Sequence, residues 1–175
     1  MNDQSFFNSL SSYTNNKSMK YDSIAWLFME SIVKELGLGI IVSDSREYRY
    51  GYQNNIIRIK PDKRAVYDLI HELCHWLVCT PKRRKMIEFG LGKGFSTDDV
   101  YLESTVSKRL SQFEEDCACI LSFILLREYN MNVADEMKET EFERDFKIKD
   151  TKIFNFLRKY NIIDKDYYWT GNYRC

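Results

Sequence analysis

The amino-acid sequence predicts an α+β fold built as a single domain. Residues 39–60 contain short runs of β-branched and aromatic residues, whereas apolar residues recur at helical spacing on both sides of this stretch. The chain of 175 residues is long enough for one sizeable hydrophobic core and shorter than two average domains. Helices that flank one block of short strands are typical of the α+β class.

Glycine and proline mark the ends of the first predicted elements. Residues 1–20 are polar, and we expect them to be an N-terminal segment that can fray, with the domain itself formed by residues 21–175. Apolar spacing predicts a helix over residues 21–38, which ends at two glycines. Residues 39–60 then predict two or three short antiparallel strands, and a proline ends this block.

Four more helices are predicted after the strands. The first runs through residues 66–78, with Asp62 or Asp68 as a candidate N-cap and Thr80-Pro81 beyond its end. A short helix over residues 82–89 leads into a glycine-rich loop at residues 90–94, which we expect at the surface. Helices over residues 107–129 and 151–160 complete the predicted fold.

The charge balance excludes two classes of partner. The chain has 26 basic and 26 acidic residues, so no overall field attracts nucleic acid or an anionic membrane, and we expect neither as a partner. The first residues lack the basic start and apolar run of a secretory signal. The five cysteines are an odd number, which indicates reduced thiols. We therefore expect a cytoplasmic protein.

The strongest functional pattern is H-E-x-x-H at residues 71–75, inside a predicted helix. His71 and His75 are four residues apart and therefore lie about 40° apart around the helix, so both imidazoles can reach one metal ion. In zinc hydrolases the neighbouring glutamate, here Glu72, takes a proton from a water that the metal activates. The spacing predicts a metal site on the two histidines with Glu72 as catalytic base.

A third protein ligand is needed, and the chain has no other histidine. A carboxylate, a cysteine or a tyrosine must supply it. The best candidate is the stretch F-E-E-D-C-A at residues 113–118, near the start of the long predicted helix. The competing explanation is a solvated acidic helix start, which the helix dipole favours in any case.

Cysteines, arginines and tyrosines supply further candidates. A thiolate ligand is conceivable, although a buried apolar cysteine is the commoner case. Neighbouring arginines can hold an acidic or phosphate group of a substrate, but a solvated helix face is their commoner place. A tyrosine phenol can stabilise a developing oxyanion. The residues concerned are Cys74, Cys79, Cys117, Cys119, Arg83, Arg84, Tyr48, Tyr50, Tyr52 and Tyr101.

The motif and the acidic stretch together resemble the zincin superfamily of metallopeptidases. In gluzincin-type peptidases a helix with the pattern E-x-x-A-[DN] supplies the third ligand, and its small residue lets two helices approach. This resemblance implies a zincin-like domain in which Glu114 binds the metal and Cys117 is the small residue. If Ala118 is the small residue, the ligand is Glu115. We prefer Glu114, because Phe113 and Ala118 then fit the pattern as well.

A longer match points to another family. The residues that follow the motif resemble the elongation factor P hydroxylase family, in which the motif helix continues with a Trp, then a pair of arginines and an acidic-Phe-Gly ending. That resemblance implies a metal held by two histidines and a carboxylate, which activates oxygen to hydroxylate a modified lysine on a translation factor. The matching residues are His71, Glu72, His75, Trp76, Arg83, Arg84, Glu88, Phe89 and Gly90.

Chemistry separates these two hypotheses. A hydrolase needs Glu72 and is well served by Zn²⁺, whereas a hydroxylase needs a redox metal such as Fe²⁺. We expect one divalent metal and a protein or peptide substrate, with peptide-bond hydrolysis as the leading activity and lysine oxygenation as the alternative. A peptidase also needs a sheet edge for its substrate, for which residues 55–59 are the candidate. An inert zincin-like module that binds a protein is a third hypothesis, against which the intact Glu72 argues.

Overall fold

The computed structural model of the protein describes residues 24–44, 50–51, 55–61, 65–92, 104–128 and 151–175. Within these ranges it contains four α-helices. They confirm four of the five predicted helices to within a few residues at each end. The N-terminal segment of residues 1–20 lies outside the described ranges. The helices are α1 (Ile24–Glu35), α2 (Ala65–Val78), α3 (Lys108–Glu128) and α4 (Thr151–Lys159).

Three strands form one small sheet in the order β1-β3-β2, where β1 is Gly39–Val42, β2 is Tyr50–Gly51 and β3 is Ile56–Ile59. β1 pairs with β3 in parallel along its whole length, and β2 pairs antiparallel with the first half of β3. The prediction of antiparallel strands is therefore wrong for β1 and β3, which are parallel. The chain between β1 and β3 is long enough for the connection of a dozen or more residues that a parallel pair needs. β3 is also the central strand of the described sheet, so residues 55–59 are not the expected edge.

The residues after α2 differ from the helix predicted over residues 82–89. Two short 3₁₀ turns, Arg83–Lys85 and Ile87–Gly90, take its place. A continuous helix is excluded because Glu88 and Phe89 have the positive φ angles 47° and 53°. The loop that follows was expected at the surface, but Gly90 and Gly92 are buried against residues 104–105.

α2 lies at the centre of the core, where it packs against α3, β3 and α1. Most of its side chains are buried, so its apolar spacing extends almost all round the helix. The polar motif is consequently carried into the interior by an otherwise apolar helix. The buried residues of α2 are Ala65, Leu69, Ile70, Glu72, Leu73, Cys74, His75, Trp76, Leu77 and Val78.

The helix that precedes the sheet ends at a glycine. Gly37 has a φ of +72°, and the Leu38 amide beyond it donates to the carbonyl of Val33, the pattern of a left-handed helix cap. Leu38 is buried, which ties the end of α1 to the core just before β1 begins. Among the described residues, none of the helices combines the length and apolar character needed to cross a bilayer.

Candidate metal centre

The two motif histidines lie side by side on α2 and face α3. Their Nε2 atoms are 3.0 Å apart, and their rings meet edge to face. His75 is almost fully buried, and the side chain of His71 is 15% exposed. The four-residue spacing therefore places both imidazoles at one spot, as the sequence predicts.

The carboxylate of Glu115 on α3 reaches both histidines. Its Oε1 lies 3.2 Å from His71 Nε2, and its Oε2 lies 3.1 Å from His75 Nε2. His71, His75 and Glu115 are called the ligand cluster below. The side chain of Glu115 is 43% exposed, so one side of the ligand cluster is open to solvent.

The ligand cluster fits a single divalent ion. Two ligands at about 2.1 Å from one metal, in tetrahedral or octahedral geometry, lie about 3.0 to 3.4 Å from each other. The two Nε2 atoms are 3.0 Å apart, and the separations of 3.2 and 3.1 Å between each Nε2 and its own oxygen of Glu115 also fall in this range. Two imidazoles and one carboxylate are also ligands that Zn²⁺ and Fe²⁺ accept.

Electrostatics in the ligand cluster favour a positive charge. Burial opposes ionisation of Glu115, but the two imidazoles outweigh it and hold the pKa of this carboxyl well below its usual range. Burial also opposes a charged His75, yet Glu115, with Glu72 and Glu114, raises the pKa of this imidazole. The negative groups around His75 thus stabilise a cation at this position.

Glu114, the third ligand preferred from the sequence, has another partner. Its carboxylate accepts a hydrogen bond from Nη1 of Arg83, and Nη1 of Arg174 lies 3.9 Å away. Glu114 is 1% exposed. Successive residues on a helix point about 100° apart, so Glu114 and Glu115 cannot both face α2 in the same way. The structure brings Glu115, and not Glu114, to the histidines.

The arginine pair that follows α2 makes internal contacts. Arg83 donates from Nε to the carbonyl of Phe89 at 2.8 Å and from Nη1 to Glu114. Arg84 donates to the carbonyls of Trp76 and Arg174 at 2.9 and 2.6 Å. Arg83, Arg84, Glu114 and Arg174 are called the arginine clasp below. Neither a substrate group nor a solvated helix face accounts for these two arginines.

Aromatic rings complete the arginine clasp. The guanidinium of Arg84 lies 4.1 Å from the ring centre of Trp76 and 4.7 Å from that of Tyr173, and the two rings meet edge to face at 5.0 Å, so the guanidinium packs against both. Trp76 belongs to α2, whereas Tyr173 lies in the C-terminal stretch of the described chain. The arginine clasp therefore joins α2, the turns after it, α3 and this stretch.

The left-handed turn at residues 88–90 lies beneath the ligand cluster. Phe89 stacks on Tyr50 at 4.1 Å and lies 5.8 Å from the ring of His75. A carboxylate oxygen of Glu88 accepts a hydrogen bond of 2.9 Å from the amide of Tyr50. Non-glycine residues with positive φ cost about 1 to 3 kcal/mol each. Contacts with β2 and the arginine clasp offset this strain and fix Phe89 against His75.

The one candidate tyrosine within the described residues has a structural role. Tyr50 is fully buried, and its phenol donates to the carbonyl of Arg84 at 2.7 Å. Burial raises the pKa of Tyr50 to about 12. Its hydroxyl is thus already engaged, and Tyr48, Tyr52 and Tyr101 lie outside the described residues.

The predicted base, Glu72, lies in the interior beside the ligand cluster. It is 4% exposed, and its charge is among those that raise the pKa of His75. Because it neighbours His71 along α2, the backbone holds it close to the histidines.

Four of the five cysteines are buried, and none forms a disulfide. The Sγ of Cys119, a ring nitrogen of His71 and a carboxylate oxygen of Glu115 lie within 4.8 Å of one another. The sequence alone does not separate Cys119 from the other candidate thiols. Its position four residues after Glu115 is the signal that singles it out.

Comparison of the chain with protein-family models, curated proteins and solved structures gives no match. The functional interpretation of the site therefore rests on its chemistry. This chemistry is a two-histidine, one-carboxylate cluster beside a buried glutamate, on two packed helices.

Proposed function

We propose that this protein is a metal-dependent enzyme whose single divalent ion is held by His71, His75 and Glu115. The observation that carries the proposal is the convergence of the ligand cluster, whose separations of 3.0 to 3.2 Å fit one ion. Glu115 replaces Glu114 as the proposed third ligand, because Arg83 already engages Glu114 in the interior.

The leading proposed reaction is hydrolysis of a peptide bond in a protein or peptide. A bound Zn²⁺ would supply Lewis acidity and lower the pKa of a coordinated water towards neutrality. Glu72 would take the proton from the attacking water and pass it to the leaving amine. Its position in the interior, next to His71 along the helix, suits this role. The open side of Glu115 leaves room for a substrate.

One observation favours a second candidate, an oxygenase that resembles elongation factor P hydroxylases. The residues of the longer sequence match form one connected scaffold beside the ligand cluster. Trp76 stacks on Arg84, Arg83 binds the carbonyl of Phe89, and Phe89 lies against His75. Two histidines and a carboxylate also hold iron in non-haem oxygenases. The substrate would then be a lysine derivative on a protein.

Elemental analysis separates the two candidates. The protein would be purified anaerobically, without chelator and without metal-affinity resin. One equivalent of zinc supports the hydrolase, and one equivalent of iron with little zinc supports the oxygenase. A preparation that takes up neither metal on reconstitution would contradict both.

The hydrolase proposal then needs a test of its base. In a peptide-library assay, Glu72→Gln should retain the metal and lose cleavage to background, because the amide cannot accept the proton. Asp116→Asn is a matched control, since it removes a carboxylate from α3 outside the ligand cluster. Cleavage by Glu72→Gln at the wild-type rate would rule out this mechanism.

A further inference from the structure

Cys119 follows Glu115 by four residues on α3, and this spacing repeats that of His71 and His75 on α2. Residues four apart lie about 40° apart around a helix, so each helix carries two potential ligands on one face. α2 and α3 pack against each other along these faces. The two helices thus bring two pairs of ligand side chains together, of which only three side chains belong to the ligand cluster.

The thiol of Cys119 is close enough to join this cluster. Its Sγ lies within 4.8 Å of ligand atoms of both His71 and Glu115. A sulfur bound to tetrahedral zinc at about 2.3 Å lies about 3.6 Å from nitrogen or oxygen ligands of the same ion. Relative to His71 and Glu115, the sulfur therefore has to move by about 1.2 Å at most, which a side-chain rotation supplies.

We propose that Cys119 is a fourth protein ligand of the metal ion held by His71, His75 and Glu115. The proposal rests on the metal site of the proposed function and not on the reaction assigned to it. Cys119 is 6% exposed and forms no disulfide, so its sulfur is available to the ion and shielded from solvent. When the sulfur binds the ion, the thiol proton is released to solvent.

A thiolate in the ligand set has two chemical consequences. It favours zinc and other thiophilic ions over Mg²⁺, Ca²⁺ and Mn²⁺, which prefer oxygen ligands. With four protein ligands in place, the water on which Glu72 would act needs a fifth coordination position, to which zinc centres can expand. Removal of Cys119 should therefore leave a three-ligand site that still binds metal.

Cobalt substitution tests the proposal directly. The metal-free full-length protein would be titrated with Co²⁺, whose bond to a thiolate gives an intense charge-transfer band in the near ultraviolet. Wild type should show this band at one equivalent of Co²⁺, and Cys119→Ser should bind one equivalent without it. Cys117→Ser is the matched control, because Cys117 is buried on α3 about 200° around the helix from Cys119.

The outcomes separate this proposal from the metal site on which it rests. Stoichiometric Co²⁺ without the band in wild type, or a band that persists in Cys119→Ser, overturns the fourth ligand and leaves the three-ligand site intact. Absence of Co²⁺ binding in wild type overturns both. If Cys119→Ser does not fold, X-ray absorption of the wild-type zinc protein decides. One sulfur at about 2.3 Å supports the proposal, and its absence overturns it.

Discussion

The ligand cluster and the arginine clasp are neighbours on α3, yet they use their charges in opposite ways. Glu115 is 43% exposed and faces two imidazoles, whereas the adjacent Glu114 is 1% exposed and faces two arginines. In the ligand cluster, two imidazoles and a carboxylate converge at a position where one cation can bind all three. In the arginine clasp, Arg83 already neutralises the charge of Glu114.

This difference shows how one helix serves binding and architecture at the same time. Glu114 faces Arg83, and the roughly 100° step between successive residues directs Glu115 at the histidines instead. We expect changes in the arginine clasp to lower stability. Changes in the ligand cluster should remove the metal and leave the fold intact.

The largest effect on stability should come from Glu114→Ala. It leaves the guanidinium of Arg83 buried without its partner, and removal of one member of a buried ion pair costs about 3 to 5 kcal/mol. The measurement is the free energy of unfolding in urea. Asp116→Asn, a more exposed position on the same helix, should change it by less than about 0.5 kcal/mol. Equal losses in the free energy of unfolding for the two variants would contradict the structural role of the arginine clasp.

A smaller loss is expected for Gly90→Ala in the left-handed turn. Gly90 has a φ of +69°, and an added Cβ would lie 2.5 Å from Oγ1 of Thr105. Strain and this contact should together cost more than about 1 kcal/mol. Gly37→Ala is the matched control, because Gly37 has a φ of +72° and open space around its Cβ position. Thermal unfolding that shows equal losses at both glycines would contradict the tight packing of this turn.

Because of the buried phenol of Tyr50, the free energy of unfolding should fall at alkaline pH. Burial raises its pKa from 10.0 to about 12 in the folded protein. The folded state therefore holds a proton that the unfolded state loses, so stability falls as pH rises between these values, by at most about 1.4 kcal/mol per pH unit. Urea unfolding at a series of pH values from 9 to 12 measures the slope, where Tyr50→Phe should show a shallower decline. An unchanged slope would contradict this contribution.

Arg84→Lys should lower stability less than Glu114→Ala. A lysine keeps the charge but loses the planar contacts with Trp76 and Tyr173 and the hydrogen bonds to the carbonyls of Trp76 and Arg174, a loss of about 1 to 2 kcal/mol. Chemical denaturation provides the measurement. Zinc content should stay at the wild-type level, because Arg84 is not a ligand. Loss of zinc from folded Arg84→Lys would mean that the two regions are not separate.

The sequence alone predicts the helices and the two motif histidines, because both depend on local spacing. The parallel pairing of β1 with β3 depends on how β2 folds back, which short strands do not reveal. The choice between Glu114 and Glu115 depends on the rotation of α3. The side chain that engages Glu114 is Arg83, which lies 31 residues away along the chain. The internal roles of Arg83 and Arg84 are long-range for the same reason.

The most direct test of the central claim is the metal content of Glu115→Gln. This variant keeps the size of the side chain and loses the carboxylate that meets both histidines. We predict that the protein stays folded, by circular dichroism, and retains less than a tenth of an equivalent of metal after dialysis under conditions in which wild type and Asp116→Asn retain one. A full equivalent of metal bound to folded Glu115→Gln would contradict the assignment of Glu115 as a ligand.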